Sequence, residues 1–485
     1  MKRYFKLAMA LLGGVMLLGT GTPFAAKAAE NLESAETVEP DDAGDTYTNP
    51  ILDNCADPDV LYYKGTYYLY CTTPTQEGNS GIKVYTSTDL VHWTAQGFAF
   101  MKDDGWGDTG FWAPDLIERD GIFYMYYTAN EHICVATSES PLGPFKQDVS
   151  EPMHEYIKEI DAHVFYDEVS DKYYLYFVRF TAGNVVWGAE LNDDMKSIKE
   201  DTLVQLLRAN QGWDEDKARV NEGPFMLVKD GKYYLTYSGS HFESIYYGSG
   251  YAVGTSPLGP FEKYEGNPIM QSNSEIHGTG HHCVTVSPDG EEMFIVYHCH
   301  CTLIVTDPRK LCIDRMRFTT DADGNTILEV AGPTVTPQAI PSGAIDVDNF
   351  IEFRQPDSEP VTVNEAMATE EILEKIPKEI SIRTSKNNRN PATIVWDWED
   401  APEKNSDGES VLKGTAILPT GVENLGEITL EVSTKLLWEQ PVLTEELKEQ
   451  ENGISAVVCV SAAAIVTAAV GIIVMMRKHK KTSQS

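Results

Sequence analysis

The chain has 485 residues, with 38 Lys and Arg against 74 Asp and Glu, so its formal net charge is −36. Such an acidic chain lacks the basic stripes that binding to a nucleic-acid backbone requires. Hydrophobic residues make up 42% and aromatic residues 10%, which excludes a disordered acidic tail. The 24 tyrosines favour a β-rich protein, with tyrosines in strands and on carbohydrate-facing surfaces.

The N-terminal segment, residues 1–28, has the pattern of a secretory signal peptide. Basic residues precede the apolar run Leu7–Gly21, and Ala26-Lys27-Ala28 offers a cleavage site between small residues. Residues 29–48 are rich in acids and are predicted to be a solvated linker.

The C-terminal segment Ile454–Met476 contains no charged residue and is long enough to cross a bilayer. The basic tail that follows, residues 477–485, belongs on the cytoplasmic side. Residues 437–453 are then an acidic stalk next to the membrane. We therefore expect a single-pass protein that is secreted by its signal peptide, anchored to the cell membrane and exposed outside it.

Seven cysteines lie outside the predicted membrane span, and their odd number and scattered positions do not suggest a disulfide framework. We interpret them mostly as small buried hydrophobic residues, with disulfides as the alternative. They are Cys55, Cys71, Cys134, Cys283, Cys299, Cys301 and Cys312.

A turn between two aromatic β-runs recurs five times along the chain, about 50 to 60 residues apart. Asp-Gly or Lys-Gly between β-forming residues is a strong hairpin signal, and regular recurrence is typical of propeller blades. The turns lie at Lys64-Gly65, Asp120-Gly121, Asp171-Lys172, Asp230-Gly231 and Asp289-Gly290. The sequence therefore predicts an all-β fold with a five-bladed β-propeller over residues 49–343.

The segment at residues 344–436 lacks these aromatic hairpins and contains short β-like runs bounded by prolines. Trp396 within one of these runs favours a small immunoglobulin-like sandwich. The stretch from Thr393 to Gly421 resembles bacterial Ig-like surface modules, which gives the same prediction.

A short polar motif precedes each aromatic hairpin. The motifs are Ala56-Asp57-Pro58, Trp112-Ala113-Pro114, Ile160-Asp161-Ala162, Glu222-Gly223-Pro224 and Gly278-Thr279-Gly280-His281. Because the innermost strand of each blade faces the central axis, equivalent positions converge on one funnel. We therefore expect Asp57, Asp161 and Glu222, at matching positions of the repeat, to meet there.

Three carboxylates in one funnel cannot all ionise cheaply, so their pKa values are driven apart. Glycoside hydrolysis needs this separation, because one carboxylate must act as a base while another stays protonated as an acid. Any one of the three residues is more often structural, but their recurrence in the repeat favours catalysis.

In these motifs, and in their order and spacing, residues 49–333 resemble glycoside hydrolase family 43. The resemblance implies a five-bladed propeller that inverts anomeric configuration, with Asp57 as general base and Glu222 as general acid. Asp161 is then the carboxylate that tunes and orients the acid. Inversion predicts that the carboxyl groups of Asp57 and Glu222 stand roughly 6.5–9.5 Å apart.

The same resemblance assigns further site residues. It places His281 on the propeller axis, where a calcium ion is bound in many members, and Arg309 at a substrate-binding position. Trp112 is predicted either to stack against a sugar ring or to pack between blades. His298 and His300 share one face of a strand, so both or neither are expected to reach the funnel.

The resulting prediction is a hydrolase that cleaves arabinose- or xylose-containing plant polysaccharides or oligosaccharides. The retaining fructan hydrolases are a rival, but their Asn-Asp-Pro-Asn-Gly and Arg-Asp-Pro motifs do not occur here in place. A second alternative is a non-catalytic carbohydrate-binding propeller, an adhesin. The three carboxylates argue against an adhesin, because a lectin needs no acid–base pair.

Overall fold

The computed structural model describes residues 45–73, 80–354, 360–398 and 402–439. The predicted signal peptide, the membrane span at 454–476 and the tail lie outside the described residues, as do most of the acidic linker and most of the stalk. Residues 437–439, predicted as part of the stalk, instead end a β-strand. Within the described ranges, no helix is long and apolar enough to cross a membrane.

Most of the described chain folds into antiparallel sheets. Two short strands come first, β1 (Thr46–Tyr47) and β2 (Leu52–Asp53). The first sheet contains β3 (Ala56–Tyr63), β4 (Thr66–Thr72), β5 (Gly81–Ser87) and β6 (Thr94–Met101), and the second contains β7 (Trp112–Arg119), β8 (Ile122–Ala129) and β9 (His132–Ser138). The third contains β10 (Glu159–Asp167), β11 (Lys172–Phe180), β12 (Asn184–Glu190) and β13 (Val204–Leu207).

The fourth sheet contains β14 (Asn221–Lys229), β15 (Lys232–Gly239), β16 (Gly248–Gly254) and β17 (Phe261–Lys263). The fifth contains β18 (Gly280–Val286), β19 (Met293–Cys299), β20 (Lys310–Thr320) and β21 (Thr326–Val330). The first strands of the sheets contact one another in the order β3, β7, β10, β14 and β18, and β18 contacts β3 again. This closed ring confirms the predicted five-bladed propeller.

The ring closes by pairing the start of the domain with its last blade. Leu52 in β2 pairs with Leu311 in β20, and the N–H of Ile51 donates to the carbonyl of Leu311 at 2.8 Å. A strand from the N-terminal end therefore completes the fifth sheet, which joins the two ends of the ring.

Each innermost strand carries a β-bulge at the same place, where the register with the second strand of its blade shifts by one residue. The residue at each bulge is left-handed, a conformation that costs a non-glycine residue about 1–2 kcal/mol. We call these five the bulge residues; with their φ angles they are Asp57 (47°), Ala113 (40°), Asp161 (58°), Gly223 (51°) and His281 (43°). Such strain persists where the surrounding structure imposes it, typically at functional sites.

Tyrosine is used mainly in the core. Among the described residues, the largest fully buried side chains include eleven tyrosines, most of them on second strands such as β4 and β15. The prediction of a β-rich protein is confirmed, whereas the placement of tyrosines on carbohydrate-facing surfaces does not hold for these eleven. Ten of them belong to the hydrophobic clusters of the core, where a large ring buries much apolar area, whereas the hydroxyl of the eleventh, Tyr247, bonds to Glu222.

One cysteine prediction needs correction. Cys55 and Cys71 form a disulfide, so the alternative of disulfides holds for these two rather than the interpretation as small buried hydrophobic residues. The remaining five are free thiols, and all of these except the half-buried Cys301 are buried. The disulfide joins the residue just before β3 to β4, next to Asp57.

The rest of the described chain forms smaller sheets. Its elements are β22 (Gln338–Ala339), β23 (Asp348–Phe353), β24 (Val361–Asn364), α1 (Thr369–Lys375), β25 (Glu379–Ile380), β26 (Ile382–Thr384), β27 (Ala392–Trp396), β28 (Glu409–Ile417), β29 (Val422–Glu423) and β30 (Glu431–Glu439). The chain divides into two compact units, and the propeller unit also includes Ile382–Asn390 and Leu418–Ile428. The strands β26, β23 and β29 form a sheet in that unit.

The second unit contains the sheet β24-β30-β28-β27-β25 together with α1. Its core is built from buried residues that include Val363, Ile372, Leu412 and Leu436. Part of the segment predicted as one module at residues 344–436 thus belongs to the propeller unit, and the Ig-like assignment stays a prediction.

Candidate active site

Asp57 is a buried bulge residue at the start of β3. Its Oδ1 accepts a hydrogen bond from Arg309 Nη1 at 2.8 Å and lies 3.3 Å from His281 Nδ1, while its Oδ2 accepts the Thr72 hydroxyl at 2.6 Å. Burial acts to raise the pKa of Asp57, but Arg309, His281 and His298 outweigh burial and hold that pKa well below its usual range. Asp57 is therefore an ionised carboxylate in a buried place.

Glu222 lies in β14 and is equally buried. Its Oε1 accepts a hydrogen bond from the Tyr247 hydroxyl at 2.9 Å, and its Oε2 accepts one from Asn184 Nδ2 at 2.7 Å. Burial raises the pKa of Glu222 to about 7, against the opposing effect of these two hydrogen bonds and with a contribution from the charge of Asp57. Glu222 therefore keeps its proton in mildly acidic solution.

The expectation that the three carboxylates occupy matching positions of the repeat is wrong for Glu222. Asp57 and Asp161 are bulge residues, whereas the bulge residue of β14 is Gly223, and Glu222 precedes it. The counterpart of Glu222 in the second blade is Trp112. A bulge interrupts the alternation of side chains along a strand, so residues on either side of it can serve one site.

Asp161 lies beside the peptide bond that follows Glu222. Its Oδ2 accepts a hydrogen bond from the Gly223 N–H at 3.2 Å and stands 3.8 Å from His281 Nδ1. Burial raises the pKa of Asp161 well above its usual value, and repulsion from Glu222 and Asp57 adds to this. Asp161 and Glu222 thus form a pair in which full ionisation is disfavoured.

Two histidines lie against Asp57. His298 Nδ1 accepts the backbone N–H of Asp57 at 3.1 Å, and its ring stacks on Tyr247 with centroids 5.7 Å apart. Burial lowers the pKa of His298 to about 3 and lowers that of His281 as well. His300 Nε2 instead lies 2.7 Å from the carbonyl oxygen of Phe242. Of His298 and His300, predicted to share one face of a strand, only His298 therefore contacts Asp57.

The remaining predicted site residues have mixed surroundings. Arg309 contacts Asp57, also donates to Asp307 at 3.2 Å, and lies over the ring of Phe242 at 5.2 Å. Trp112 is 36% exposed, so part of its ring is open to solvent. Their roles in binding substrate stay predictions.

The arrangement combines an ionised carboxylate with a protonated one in a single buried site. Opposite displacement of two carboxyl pKa values is what acid–base catalysis at a glycosidic bond requires.

The family model for glycosyl hydrolases family 43 matches residues 47–324. The chain belongs to this family. It is therefore a glycoside hydrolase, and the alternative of a non-catalytic adhesin is set aside.

Relatives with known names support the assignment over the propeller. A β-D-galactofuranosidase of Aspergillus niger is 29% identical over 293 residues, which cover 56% of this chain and 82% of the relative. A xylosidase/arabinosidase of Bacteroides ovatus is 25% identical over 324 residues, covering 57% and 94%. The crystal structure of an endo-1,4-β-xylanase of Bacteroides thetaiotaomicron matches this chain with a TM-score of 0.55. The two sequences are 38% identical, and the match covers 61% of this chain and all of the xylanase chain.

Calcium at His281 is not supported by the donors around it in this family 43 enzyme. The carboxylate oxygens that approach His281 Nδ1 belong to Asp57 and Asp161, and Asp57 Oδ1 already binds Arg309. Calcium prefers six to eight oxygen ligands, which one imidazole and two catalytic carboxylates do not supply. The predicted calcium therefore stays a prediction, and no catalytic step below depends on it.

Sequence reasoning missed two residues that hold Glu222. Asn184 begins β12 and Tyr247 directly precedes β16, so neither belongs to the repeated motif at the start of an innermost strand. Their positions are set by blade packing, and no short sequence pattern marks them.

Proposed function

We propose that this glycoside hydrolase inverts anomeric configuration and acts on arabinose- or xylose-containing polysaccharides or oligosaccharides. The names of its relatives support this substrate class, among them the B. ovatus xylosidase/arabinosidase and an extracellular exo-α-(1→5)-L-arabinofuranosidase of Streptomyces avermitilis that is 24% identical over 329 residues.

The opposite displacement of the pKa values of Asp57 and Glu222 carries the mechanistic part of the proposal. Asp57 removes a proton from the water that attacks the anomeric carbon. Glu222 donates its proton to the departing oxygen. Asp161 holds the backbone next to Glu222, and simultaneous ionisation of these two carboxyl groups is disfavoured.

A panel of substrates tests this proposal with the full-length protein. We expect turnover of the 4-nitrophenyl α-L-arabinofuranoside or β-D-xyloside, and release of sugar from arabinan or arabinoxylan. Proton NMR of the first product should show the anomer opposite to that of the substrate. The β-D-galactofuranoside serves as the competing substrate, and turnover of it alone, or retention of configuration, would contradict the proposal.

The pH dependence of kcat/KM follows from the two carboxylates. Activity needs protonated Glu222, so it should fall as the pH rises through about 7. Activity also needs ionised Asp57, whose pKa is lowered, so the acidic limb should lie below the ordinary aspartate pKa, near 3.9. A pH–rate profile on the best aryl glycoside measures both limbs.

A variant at Tyr247 makes the pH prediction specific. The Tyr247 hydroxyl donates to Glu222 and favours its charged form, so Tyr247→Phe should raise the pKa of the acid and move the alkaline limb to higher pH. Tyr176→Phe is the matched control, because Tyr176 is also fully buried but donates to the carbonyl of Pro257. An alkaline limb that stays in place in Tyr247→Phe would contradict the assignment of Glu222 as the acid.

A further inference from the structure

The backbone N–H of each bulge residue points away from its own sheet and binds a side chain. For four of the five bulge residues, the acceptor lies on the second strand of the preceding blade. In that preceding blade, the acceptor residue pairs with the residue just before the bulge residue. The pairs are Ala113 with Thr72 (2.8 Å), Asp161 with Thr128 (3.3 Å), His281 with Ser238 (2.7 Å) and Asp57 with His298 (3.1 Å). The last pair links the fifth blade to the first.

The third blade departs from this rule. Its residue at the acceptor position is Val178, which pairs with Ile160 in β10 and is fully buried. Valine has no hydrogen-bond acceptor, so the N–H of Gly223 in the fourth blade cannot bind there. That N–H donates instead to Asp161 Oδ2 at 3.2 Å.

The first blade shows what a hydroxyl does at the same place. Thr72 accepts the N–H of Ala113 and donates its own proton to Asp57 Oδ2 at 2.6 Å. The hydroxyl therefore stands between the carboxylate of one blade and the backbone of the next. In the third blade no hydroxyl intervenes, and Asp161 contacts the next blade directly.

We propose that Val178 is a positioning residue of the reaction: by offering no acceptor, it reserves the Gly223 N–H for Asp161. Gly223 directly follows Glu222, so this hydrogen bond joins the carboxylate of Asp161 to the peptide group between Glu222 and Gly223. The inference rests on the proposed roles of Glu222 and Asp161, and it accounts for the one apolar residue among the five acceptor positions.

Val178→Thr tests the inference, because threonine has nearly the shape of valine and adds only a hydroxyl. That hydroxyl is expected to intervene between Asp161 and the Gly223 N–H, as Thr72 does in the first blade. One hydrogen bond at a positioned group corresponds to about a tenfold effect, so kcat should fall about tenfold with KM unchanged. The loss should be largest for glycosides with poor leaving groups, which depend most on the acid.

The pH profile gives a second readout. If Asp161 moves away from Glu222, ionisation of one carboxyl group no longer disfavours that of the other, so the pKa of the acid falls and the alkaline limb of kcat should move to lower pH. A general loosening of the core would not produce such a directed shift.

A further variant separates positioning from a general effect of a buried hydroxyl. Val186 pairs with Val178 across β11 and β12 and is also fully buried, so Val186→Thr adds the same group in the same cluster. This variant is expected to keep the wild-type kcat, leaving-group dependence and pH profile.

The outcomes are distinguishable. An unchanged kcat in Val178→Thr, or the same losses in Val186→Thr, would overturn the inference while wild-type turnover persists. A wild-type enzyme that hydrolyses no pentoside would instead overturn the proposed function. If Val178→Thr does not fold, Thr72→Val tests the same rule in the first blade: it should lower kcat equally for all leaving groups, and an unchanged kcat would overturn the rule.

Discussion

Glu222→Gln is expected to lower kcat roughly 10²- to 10⁴-fold on glycosides with poor leaving groups, the range that general acid catalysis contributes. The amide cannot donate a proton to the departing oxygen. A 2,4-dinitrophenyl leaving group needs little protonation, so its turnover should fall far less. The alkaline limb near pH 7 should disappear, because the group that titrates there is gone.

The fold should tolerate this change. Glutamine keeps the shape of Glu222 and keeps an oxygen that can accept from Tyr247 or Asn184, so one of the two hydrogen bonds survives. Glu190→Gln is the matched control, since Glu190 is a buried carboxylate that pairs with Lys172 and Lys199 away from the site. Equal losses for all leaving groups in Glu222→Gln would show that Glu222 is not the acid.

The five blades could be predicted because their signal is local. Each Asp-Gly or Lys-Gly turn joins two strands that are neighbours in sequence, as at Gly65 between β3 and β4. The same locality placed Asp57 and Asp161 at the start of innermost strands. Repetition along the chain then implied convergence, because a propeller brings the first strand of every blade to one axis.

The errors arise where the structure depends on contacts between distant residues. Glu222 lies one residue before the bulge residue of β14, whereas Asp57 is itself the bulge residue of β3. Which side chain at a bulge reaches the site depends on the backbone conformation there. Tyr247 and Asn184 reach Glu222 through blade packing. The Cys55–Cys71 disulfide depends on the pairing of β3 with β4, which cysteine counting does not reveal.

Asp57→Asn should remove the base and also weaken the fold. Loss of the base is expected to lower kcat roughly 10²- to 10⁴-fold. This loss should be similar for good and poor leaving groups, because the acid remains in place. A loss confined to poor leaving groups would instead assign acid chemistry to Asp57.

The weakening of the fold follows from Arg309, whose buried guanidinium loses its bond to Asp57 Oδ1 but keeps Asp307. Removing one partner of a buried ion pair lowers the free energy of unfolding by about 3 kcal/mol at the low end of measured cases. The folded pKa of Asp57 is depressed, so the stabilisation is present above the unfolded value near 3.9 and is lost as the pH falls through the folded value. The difference between wild type and Asp57→Asn should therefore shrink in strong acid.

Urea unfolding of Asp57→Asn, Arg309→Met and the double variant at pH 7 measures the pair directly. Because Arg309→Met removes the buried cation, the double variant should be less destabilised than the sum of the two single variants. Additive losses would mean that Arg309 and Asp57 do not stabilise each other. In that case the low pKa of Asp57, and with it the ionised base on which the mechanism depends, would need another source.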